Sequence, residues 1–334
     1  MKICVVGAGS IGGLLAAKLA HAGQDVSVVA RRAHLDAIRK HGLKLIEEGG
    51  EEIVANVKAS DDMADLGLQD CVILGMKAQQ VAAVVDDLPK LIGEKTTILT
   101  AQNGIPWWYF HKIGGEYEGR RLESVDPGGV VADALPIDRI IGSVVYPAAE
   151  ITAPGVIKHI EGNRFSLAEV DNATTERVTE LSKALTEAGF KAPVVSDIRA
   201  EIWMKLWGNS SLNPISALTH ATLEDICRYP LTRDLTAAMM AEAQKVGEAL
   251  GVRFRISIDK RIAGAEAIGK HKTSMLQDIE AGRGIEADAL LGSVLEIAQM
   301  TGVPTPNLQA VFALVKLTAK MIQDNKGKLR IEPV

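Results

Sequence analysis

The stretch KICVVGAGSIGGLLAAKLAHAG, residues 2–23, decides the fold. KICVV is a short apolar run, which is typical of a strand buried on both faces of a sheet. The glycine-rich segment after it leads into a helical run that ends at Gly23. A strand, a glycine turn and a helix in this order predict the first βα unit of a doubly wound parallel sheet.

The turn in this stretch carries the pattern G-x-G-x-x-G at Gly7, Gly9 and Gly12. The pattern is weak alone, but here it follows a predicted strand, opens a predicted helix and precedes a second strand, DVSVVAR. The three glycines permit a tight turn, close approach of a diphosphate and close helix packing. The helix N-terminus, with Ser10 and Ile11, adds free N–H groups and partial positive charge. The sequence therefore predicts a dinucleotide site here.

The end of the second strand indicates which dinucleotide binds. An NAD site usually has an acidic residue there, but this chain has Arg31 and Arg32 and no acid before Asp36. A guanidinium fork fits the planar face of a 2′-phosphate, which favours NADP(H). Lys77, at the end of the run CVILGMK, would reach the same edge of the sheet. A solvated surface position is the alternative for either arginine.

Strand-like and helical runs alternate up to residue 196, which predicts a Rossmann-like α/β domain with a doubly wound sheet. Between about Ile140 and Val170 the runs are shorter and broken by prolines and glycines, which predicts antiparallel strands added to that sheet. The other predicted elements of this part include a hairpin around EEGGEE, a final strand at FKAPVV, and helices over 78–88 and 173–188.

After Ser196 the strand signals stop and only helical periods follow, with Asp197 as an N-cap. The predicted helices cover 197–212, 231–250, about 257–281 and about 285–300. We therefore expect an NADP-binding domain at 1–196 and an all-helical substrate-binding and catalytic domain at 197–334. The ligand cleft is expected between the domains, at the carboxyl ends of the strands.

Composition excludes several classes of protein. The 334 residues are 47% hydrophobic and 24% charged, which is the balance of a soluble globular protein. No apolar stretch reaches the roughly 18 residues of a membrane span. With 37 basic and 42 acidic residues the net charge is −5, and no basic run indicates nucleic-acid binding. The three cysteines lack metal-ligand spacing and are expected to be buried thiols, and no metal site is expected.

The N-terminus imitates a secretory signal, because Lys2 and an apolar run precede the small-residue sequence Ala20-His21-Ala22. Cleavage after Ala22 would remove the glycine turn that the rest of the domain needs. We therefore expect a cytoplasmic protein.

The segment WMKLWGNSSLNP, residues 203–214, places three polar side chains along one stripe of a predicted helix. They are Lys205, Asn209 and Asn213. A solvated polar face opposite a buried one is the alternative interpretation. Asn103 follows the strand TTILTAQ, where Asn-Gly is also a common turn pair.

Taken together, these motifs resemble the ketopantoate reductase (2-dehydropantoate 2-reductase) family. The resemblance covers nearly the whole chain. It rests on the fingerprint with Arg31, the lysine after the third core strand, Q-N-G, K-x-x-x-N-x-x-x-N and S-M-L-Q-D-x-x-x-G-x-x-x-E-x-D. It implies reduction of 2-dehydropantoate to pantoate with NADPH, on the route to pantothenate and coenzyme A.

The resemblance also implies roles for single residues. Lys205 would be the catalytic lysine, and Glu286 the acidic residue at the substrate, although Glu286 is also expected just inside a helix start, where an acid favours the helix dipole. Asn209, Asn213 and Ser274 would bind the substrate. Asn103 would lie near the nicotinamide and the substrate, and Arg31 and Lys77 would contact phosphate and ribose.

One region departs from the shorter members of the family. The aromatic and glycine-rich excursion at 106–129, which begins with Pro106-Trp107-Trp108-Tyr109-Phe110, is either a packed loop or a change to the substrate pocket. A reductase of another small 2-oxo acid with the same chemistry is therefore an alternative. A non-catalytic NADP-binding regulatory protein is a second alternative. The sequence leaves the oligomeric state open, with a homodimer possible.

Overall fold

The chain divides into two compact units, Met1–Ile198 and Arg199–Val334. The structure is a computed structural model that describes residues 1–327. The first unit combines sheets and helices, and the described part of the second unit is helical. The predicted fold class is confirmed. The sequence places the domain boundary at 196/197, and the two units meet along the chain at Ile198 and Arg199.

The strands all lie in the first unit. In chain order, β1 to β11 are Lys2–Val6, Asp25–Val29, Leu43–Ile46, Glu52–Ala55, Lys58–Ser60, Gln69–Leu74, Ile92–Thr100, Ile140–Val145, Ala148–Ala153, Val156–Glu161 and Phe165–Glu169.

The α-helices occur in both units. In chain order, α1 to α12 are Ser10–His21, Arg32–His41, Val130–Ala134, Glu176–Glu187, Ile198–Asn209, Leu212–Thr219, Leu223–Arg228, Pro230–Ala249, Ile258–Ala267, Ser274–Glu280, Ser293–Thr301 and Pro306–Asp324.

The main sheet has the strand order β11-β8-β7-β6-β1-β2-β5. Every neighbouring pair is parallel except β11 and β8, which are antiparallel. The chain leaves β1 toward β2 and later returns on its other side as β6, so the order reverses at β1. In open parallel sheets, ligands bind at the carboxyl ends of the strands beside such a reversal. The fold therefore places the glycine turn at the expected ligand edge.

A second sheet, with the order β4-β3-β10-β9, corrects one prediction about the strands after Ile140. β8 and β11 extend the main sheet, but β9 and β10 join the β3–β4 hairpin instead. The second sheet packs on α1 so closely that a Cβ added at Gly13 would lie 2.7 Å from the side chain of Ile157. Alternation of apolar residues predicts a strand but not which sheet it joins.

The helix predicted over 78–88 is wrong. This segment forms short 3₁₀ turns, Ala78–Gln80 and Ala82–Val84, followed by a third at Leu88–Lys90. β-branched valines lower the helix propensity of this segment, and Pro89 has no N–H to continue an α-helix. The predicted strand FKAPVV is likewise reduced to isolated bridges beside β11, where Pro193 cannot donate a backbone hydrogen bond.

In the second unit, several helices begin and end at other residues than the sequence predicts. The stretch 257–281 contains two helices, α9 and α10. The sequence prediction missed α7 and α12, and it reached only the first residue of α6. α11 ends at Thr301, and Gly302, where the sequence predicts the end of this helix, caps it with a left-handed φ of +69°. Within residues 1–327, none of the helices combines the length and the apolar composition that crossing a bilayer requires.

The three cysteines are buried free thiols, as the sequence predicts. Burial raises the pKa of Cys4 to about 11 and that of Cys71 to about 12. Across the described part of the chain, no three His, Cys, Asp or Glu side chains are grouped so that they could hold a metal ion.

A mostly buried polar network ties the second sheet to α1. The Lys18 ammonium lies 2.7 Å from one carboxylate oxygen of Glu47, and His159 Nδ1 lies 3.0 Å from the other. His159 Nε2 lies 2.6 Å from the carbonyl oxygen of Gly162. Burial raises the pKa of Glu47, but the hydrogen bonds from Lys18 and His159 and their charges outweigh it and hold the pKa below 4.5.

Replacing this carboxylate tests what the network contributes. We expect Glu47→Gln to lower the free energy of unfolding at pH 7 by about 2 to 4 kcal/mol, because Lys18 loses its buried partner. Because the folded-state pKa of Glu47 is depressed, this stabilisation is present above pH 4.5 and is lost as the pH falls below it. Urea unfolding at pH 7 and pH 3.5 measures both effects. Glu48→Gln, at the adjacent exposed position, is the control. Equal losses of unfolding free energy in the two variants would show that the contacts of Glu47 do not stabilise the fold.

Candidate functional site

The three fingerprint glycines have three different surroundings. Gly7 has a φ of +96°, a backbone angle that residues with a side chain rarely adopt. A Cβ added at Gly12 would lie 2.0 Å from the carbonyl oxygen of Gly7, so α1 and the loop could not pack as closely as they do. Around Gly9 a Cβ would meet nothing nearer than a carbonyl oxygen at 3.9 Å. Gly9 therefore faces open space, which is the arrangement that a bound diphosphate requires.

Gly75, at the end of β6, is a fourth glycine of this site, and the sequence prediction missed it. A Cβ there would lie 2.8 Å from Cα of Gly12 and 3.0 Å from the carbonyl oxygen of Gly7. Its N–H donates to the carbonyl oxygen of Val6 at 3.0 Å. The signal was present in the sequence, since Gly75 ends the strand-like run CVIL as Gly7 ends KICVV.

The N-terminus of α1 has backbone N–H groups that can bind an anion. No side chain caps it and its first turn contains no acidic residue. The backbone N–H groups of the first turn, which include those of Ser10, Ile11 and Gly12, have no intrahelical acceptor. The glycine turn and the helix terminus together fit a dinucleotide diphosphate.

The predicted phosphate ligands follow the strands that flank β1. Arg31 ends the segment after β2 and is the N-cap residue of α2. Its side chain is exposed. Lys77 follows β6, is half-buried and is the N-cap residue of the 3₁₀ turn Ala78–Gln80. Because β2 and β6 run parallel to β1, both residues lie at the edge of the sheet that carries the glycine turn.

Asn103 follows β7 at this same edge and is half-buried. The aromatic excursion begins three residues after it, and Trp107, Trp108, Tyr109 and Phe110 are all buried. The indole N–H of Trp108 donates to the hydroxyl of Thr100 at 3.1 Å, and its ring occupies the space where a side chain at Gly142 would lie. Trp108 is therefore part of the packing of the sheet.

In the second unit, the polar stripe does not lie on one helix. Lys205 and Asn209 belong to α5, whereas Asn213 belongs to α6. The helix breaks between them because Pro214 has no N–H for the carbonyl of Ser210, and its ring would collide with that carbonyl. The prediction of one helix over 197–212 is corrected to this extent.

Lys205 is half-buried on α5, next to tryptophans that are fully buried, Trp203 and Trp207. Burial lowers the pKa of Lys205 from its ordinary value of 10.5 to about 8, and the negative charge of Glu286 partly offsets this shift. The structure thus brings Glu286 within electrostatic range of a lysine that is 81 residues earlier in the chain (286 − 205). A lysine with this pKa is still mostly protonated at pH 7 but is a stronger acid than a solvated lysine, so it can donate a proton.

Glu286 lies just before a helix, not inside it, because the helical segment begins at Ala287. That segment opens with a π-helical turn, Asp288–Gly292, which continues directly into α11. π-turns within helices occur frequently at functional sites.

Asn213 and Ser274 form a further contact predicted to involve substrate. Nδ2 of the buried Asn213 lies 3.4 Å from Oγ of Ser274, the first residue of α10. The structure thus brings Asn213 and Ser274 together, with Asn209 one helix earlier, and it places Glu286 within electrostatic range of Lys205. Whether these groups meet the ligand of the first unit stays a prediction.

A doubly wound sheet with an open glycine turn at its point of reversal, followed by a helical unit with a half-buried lysine, defines a dinucleotide-binding class of α/β protein. Comparison with known proteins narrows this class. The sequence model "Ketopantoate reductase PanE/ApbA" matches residues 3–172, and "Ketopantoate reductase PanE/ApbA C terminal" matches residues 197–319. The chain belongs to this ketopantoate reductase family and is an oxidoreductase.

Individual relatives agree with this assignment. A 2-dehydropantoate 2-reductase from Mesorhizobium japonicum is 54% identical over 320 residues, covering 96% of this chain and 98% of the relative. A solved structure of a ketopantoate-reductase-family protein from Ralstonia solanacearum MolK2 has a TM-score of 0.92 at 40% identity, covering 96% and 98% of the two chains. A solved D-mandelate dehydrogenase with NADH and anilino(oxo)acetate has a TM-score of 0.83 at 23% identity, covering 97% and 99%, and shares the fold.

The glycine surroundings predict opposite effects of the same substitution at two positions. Gly9→Ala should leave the free energy of unfolding within about 0.5 kcal/mol of wild type, because its Cβ meets nothing and its φ of −70° suits alanine. The same Cβ would stand where a dinucleotide diphosphate is expected to approach, so the dissociation constants for NADPH and NADH should both rise at least about 10-fold. Gly12→Ala should lower stability by about 2 kcal/mol or more. Urea unfolding and calorimetric titration measure both quantities, and a Gly9→Ala protein that binds NADPH normally would contradict the site.

The excursion gives a second prediction. Trp108→Ala should lower the free energy of unfolding by about 3 to 5 kcal/mol and leave the order of preference among 2-oxo acids unchanged, since the side chain packs against the sheet. Tyr229→Ala, at an exposed aromatic position, is the control for stability. A changed substrate order with normal stability would show instead that the excursion lines the substrate pocket.

Proposed function

We propose that this chain reduces 2-dehydropantoate to pantoate with NADPH, in the biosynthesis of pantothenate and coenzyme A. The observation that carries the chemistry is Lys205, a half-buried lysine with a lowered pKa beside Glu286. The 54% identical relative named 2-dehydropantoate 2-reductase supports the substrate.

The first unit supplies the residues for the cofactor. The open turn at Gly9 and the uncapped start of α1 would hold the diphosphate. Arg31 would read the 2′-phosphate, which NAD lacks, and Lys77 and Asn103 would contact the ribose and the nicotinamide side. When bound, NADPH supplies the hydride that reduces the ketone.

Residues of the second unit would carry the rest of the reaction. As the C2 carbonyl accepts hydride, negative charge develops on its oxygen, and the Lys205 ammonium stabilises that charge and transfers one proton to it. The neutral amine then regains a proton from solvent, so the net change is addition of one hydride and one proton. Such help accelerates the step by about 10² to 10⁴-fold.

The remaining side chains of the second unit would orient the substrate. Glu286 would accept a hydrogen bond from the substrate hydroxyl or hold the lysine in place. Asn209, Asn213 and Ser274 would bind the polar parts of the acid. They can do so with neutral donors and acceptors, which contribute to binding in the ground state and the transition state alike.

NADPH oxidation measured with 2-dehydropantoate and a panel of other small 2-oxo acids tests the proposed substrate. We expect the highest kcat/KM for 2-dehydropantoate. A higher value for another 2-oxo acid would support the alternative reductase, and NADPH binding without turnover on any of them would support a regulatory protein. The buried aromatic side chains of the excursion favour the first outcome.

Cytoplasmic location and assembly into a homodimer complete this proposal. Cleavage of a signal after Ala22 would remove β1, the strand at which the main sheet reverses, and α1 with it. Fractionation of cells and light scattering of the purified protein test the two points.

Arg31 gives a prediction about cofactor choice. Arg31→Ala should weaken the binding of NADPH by about 10- to 100-fold and change the binding of NADH little, because a charged contact to phosphate contributes about 1.5 to 3 kcal/mol. Lys40→Ala is the control, since it removes an exposed cation from the last turn of α2. Equal losses for both cofactors would show that Arg31 does not bind the 2′-phosphate.

Lys205 and Asn209 give a prediction about kinetics. Lys205→Ala should lower kcat by about 10²-fold or more while NADPH still binds, because the diphosphate is bound by the first unit. Asn209→Ala should act mainly on KM. Steady-state kinetics separate the two effects. A Lys205→Ala enzyme with near-normal kcat would support the alternative interpretation, in which these side chains form a solvated polar face.

A further inference from the structure

His34, in the first turn of α2, links two segments of the first unit that are distant in sequence. Its Nε2 lies 2.8 Å from the carbonyl oxygen of Ala8, which stands between the first two fingerprint glycines. The backbone N–H of Gly155, in the turn between β9 and β10, donates to its Nδ1 at 3.0 Å. The imidazole is half-buried between them.

The two contacts define the protonation of the ring. A backbone N–H can only donate, so Nδ1 of His34 must be the unprotonated acceptor. Nε2 then carries the hydrogen and donates it to Ala8. A proton added to Nδ1 would point at the N–H of Gly155 and break that bond. Burial lowers the pKa of His34 below 6.5 and outweighs the bond to Ala8, which raises it, in keeping with a neutral ring.

Each contact of His34 ends on a segment that is itself fixed. The N–H groups of Gly7 and Ala8 both donate to the carbonyl oxygen of Val29, at 3.1 and 3.2 Å, so His34 holds the carbonyl side of the same loop. On the other side, Gly155 accepts from the N–H of Lys44 at 2.9 Å. The second sheet is thus connected to the glycine loop through one side chain.

Few charged groups surround this ring. At the start of α2 the charged neighbours are Arg31, Arg32 and Asp36. All three are exposed, whereas His34 is half-buried. Neither the loop Gly7-Ala8-Gly9-Ser10 nor the turn Ala153-Pro154-Gly155 contains an ionisable side chain. From β3, Lys44 is paired with Glu52 at 2.7 Å.

We propose that His34 is a positioning residue for the dinucleotide. Its neutral imidazole holds the Ala8 carbonyl, and with it the glycine loop, in the conformation that receives the diphosphate, and protonation of Nδ1 releases the loop. The inference rests on the proposed use of NADP(H) by this chain. Loss of the bridge reduces the fraction of molecules with a binding-competent loop, and the apparent dissociation constant rises in inverse proportion to that fraction.

Two substitutions of His34 separate bridging from titration. His34→Ala removes the bridge at every pH, so we expect its dissociation constant for NADP⁺ to rise on the order of 10-fold at pH 7.5, the effect of losing about one net hydrogen bond. His34→Gln keeps an amide oxygen and an amide N–H that do not titrate. His41→Gln, at the exposed end of the same helix, is the matched control.

The experiment is calorimetric titration with NADP⁺ and NAD⁺ from pH 7.5 to pH 5, for wild type and the three variants, with melting curves that confirm folding at each pH. NAD⁺ has no 2′-phosphate, so protonation of that group cannot explain a pH effect on its binding. We expect wild type and His41→Gln to lose affinity for both dinucleotides as the pH falls below 6.5. His34→Gln should lack that step.

An identical pH step in His34→Gln, or unchanged affinity in a folded His34→Ala protein at pH 7.5, would overturn the proposal for His34. A lowered melting temperature of His34→Ala with normal affinity would also overturn it, since that is the result of a purely structural role. Failure of wild type to bind either dinucleotide at any pH would instead contradict the proposed function itself.

Discussion

The structure of the first unit depends on a place where three backbone segments meet without side chains. The end of β1, the first turn of α1 and the end of β6 converge at Gly7, Gly12 and Gly75, and any Cβ at the last two would collide with backbone atoms. This contact sets how α1 crosses the sheet and leaves Gly9 facing open space. The residues proposed to bind phosphate, Arg31 and Lys77, take their positions from the strands on either side of it.

In the second unit the important feature is a charged side chain that is partly removed from solvent, whereas in the first unit it is a contact between backbone segments without side chains. Lys205 loses solvation on α5, which destabilises its ammonium form and brings the pKa to about 8, while Glu286 keeps the shift from growing larger. A fully solvated lysine would remain protonated near neutral pH and would be a weak acid toward the substrate. Burial, which outweighs the nearby carboxylate, therefore makes this lysine a stronger acid, as its proposed role as proton donor requires.

Local patterns made much of this predictable, and some of what was missed, such as Gly75, also had a local signal. Contacts distant in sequence account for the rest. The glycine fingerprint and the arginine after β2 are local, and the structure has both at the expected edge. The break before Asn213 could have been inferred from Pro214. The second sheet and the bridge from His34 to Gly155 could not, because they depend on tertiary contacts across 121 residues. The roles of Lys205 and Glu286 came from the family resemblance and stay predictions.

The central claim is that Lys205 acts as the acid in ketone reduction. The pH dependence of kcat/KM tests it most directly, since at saturating NADPH this ratio reports the ionisations of the enzyme before it binds the keto acid. Because the protonated amine is the active form, kcat/KM for 2-dehydropantoate at saturating NADPH should be level below pH 7 and fall about 10-fold per pH unit above about 8. A profile that stays level to pH 10 in the folded enzyme would contradict the account.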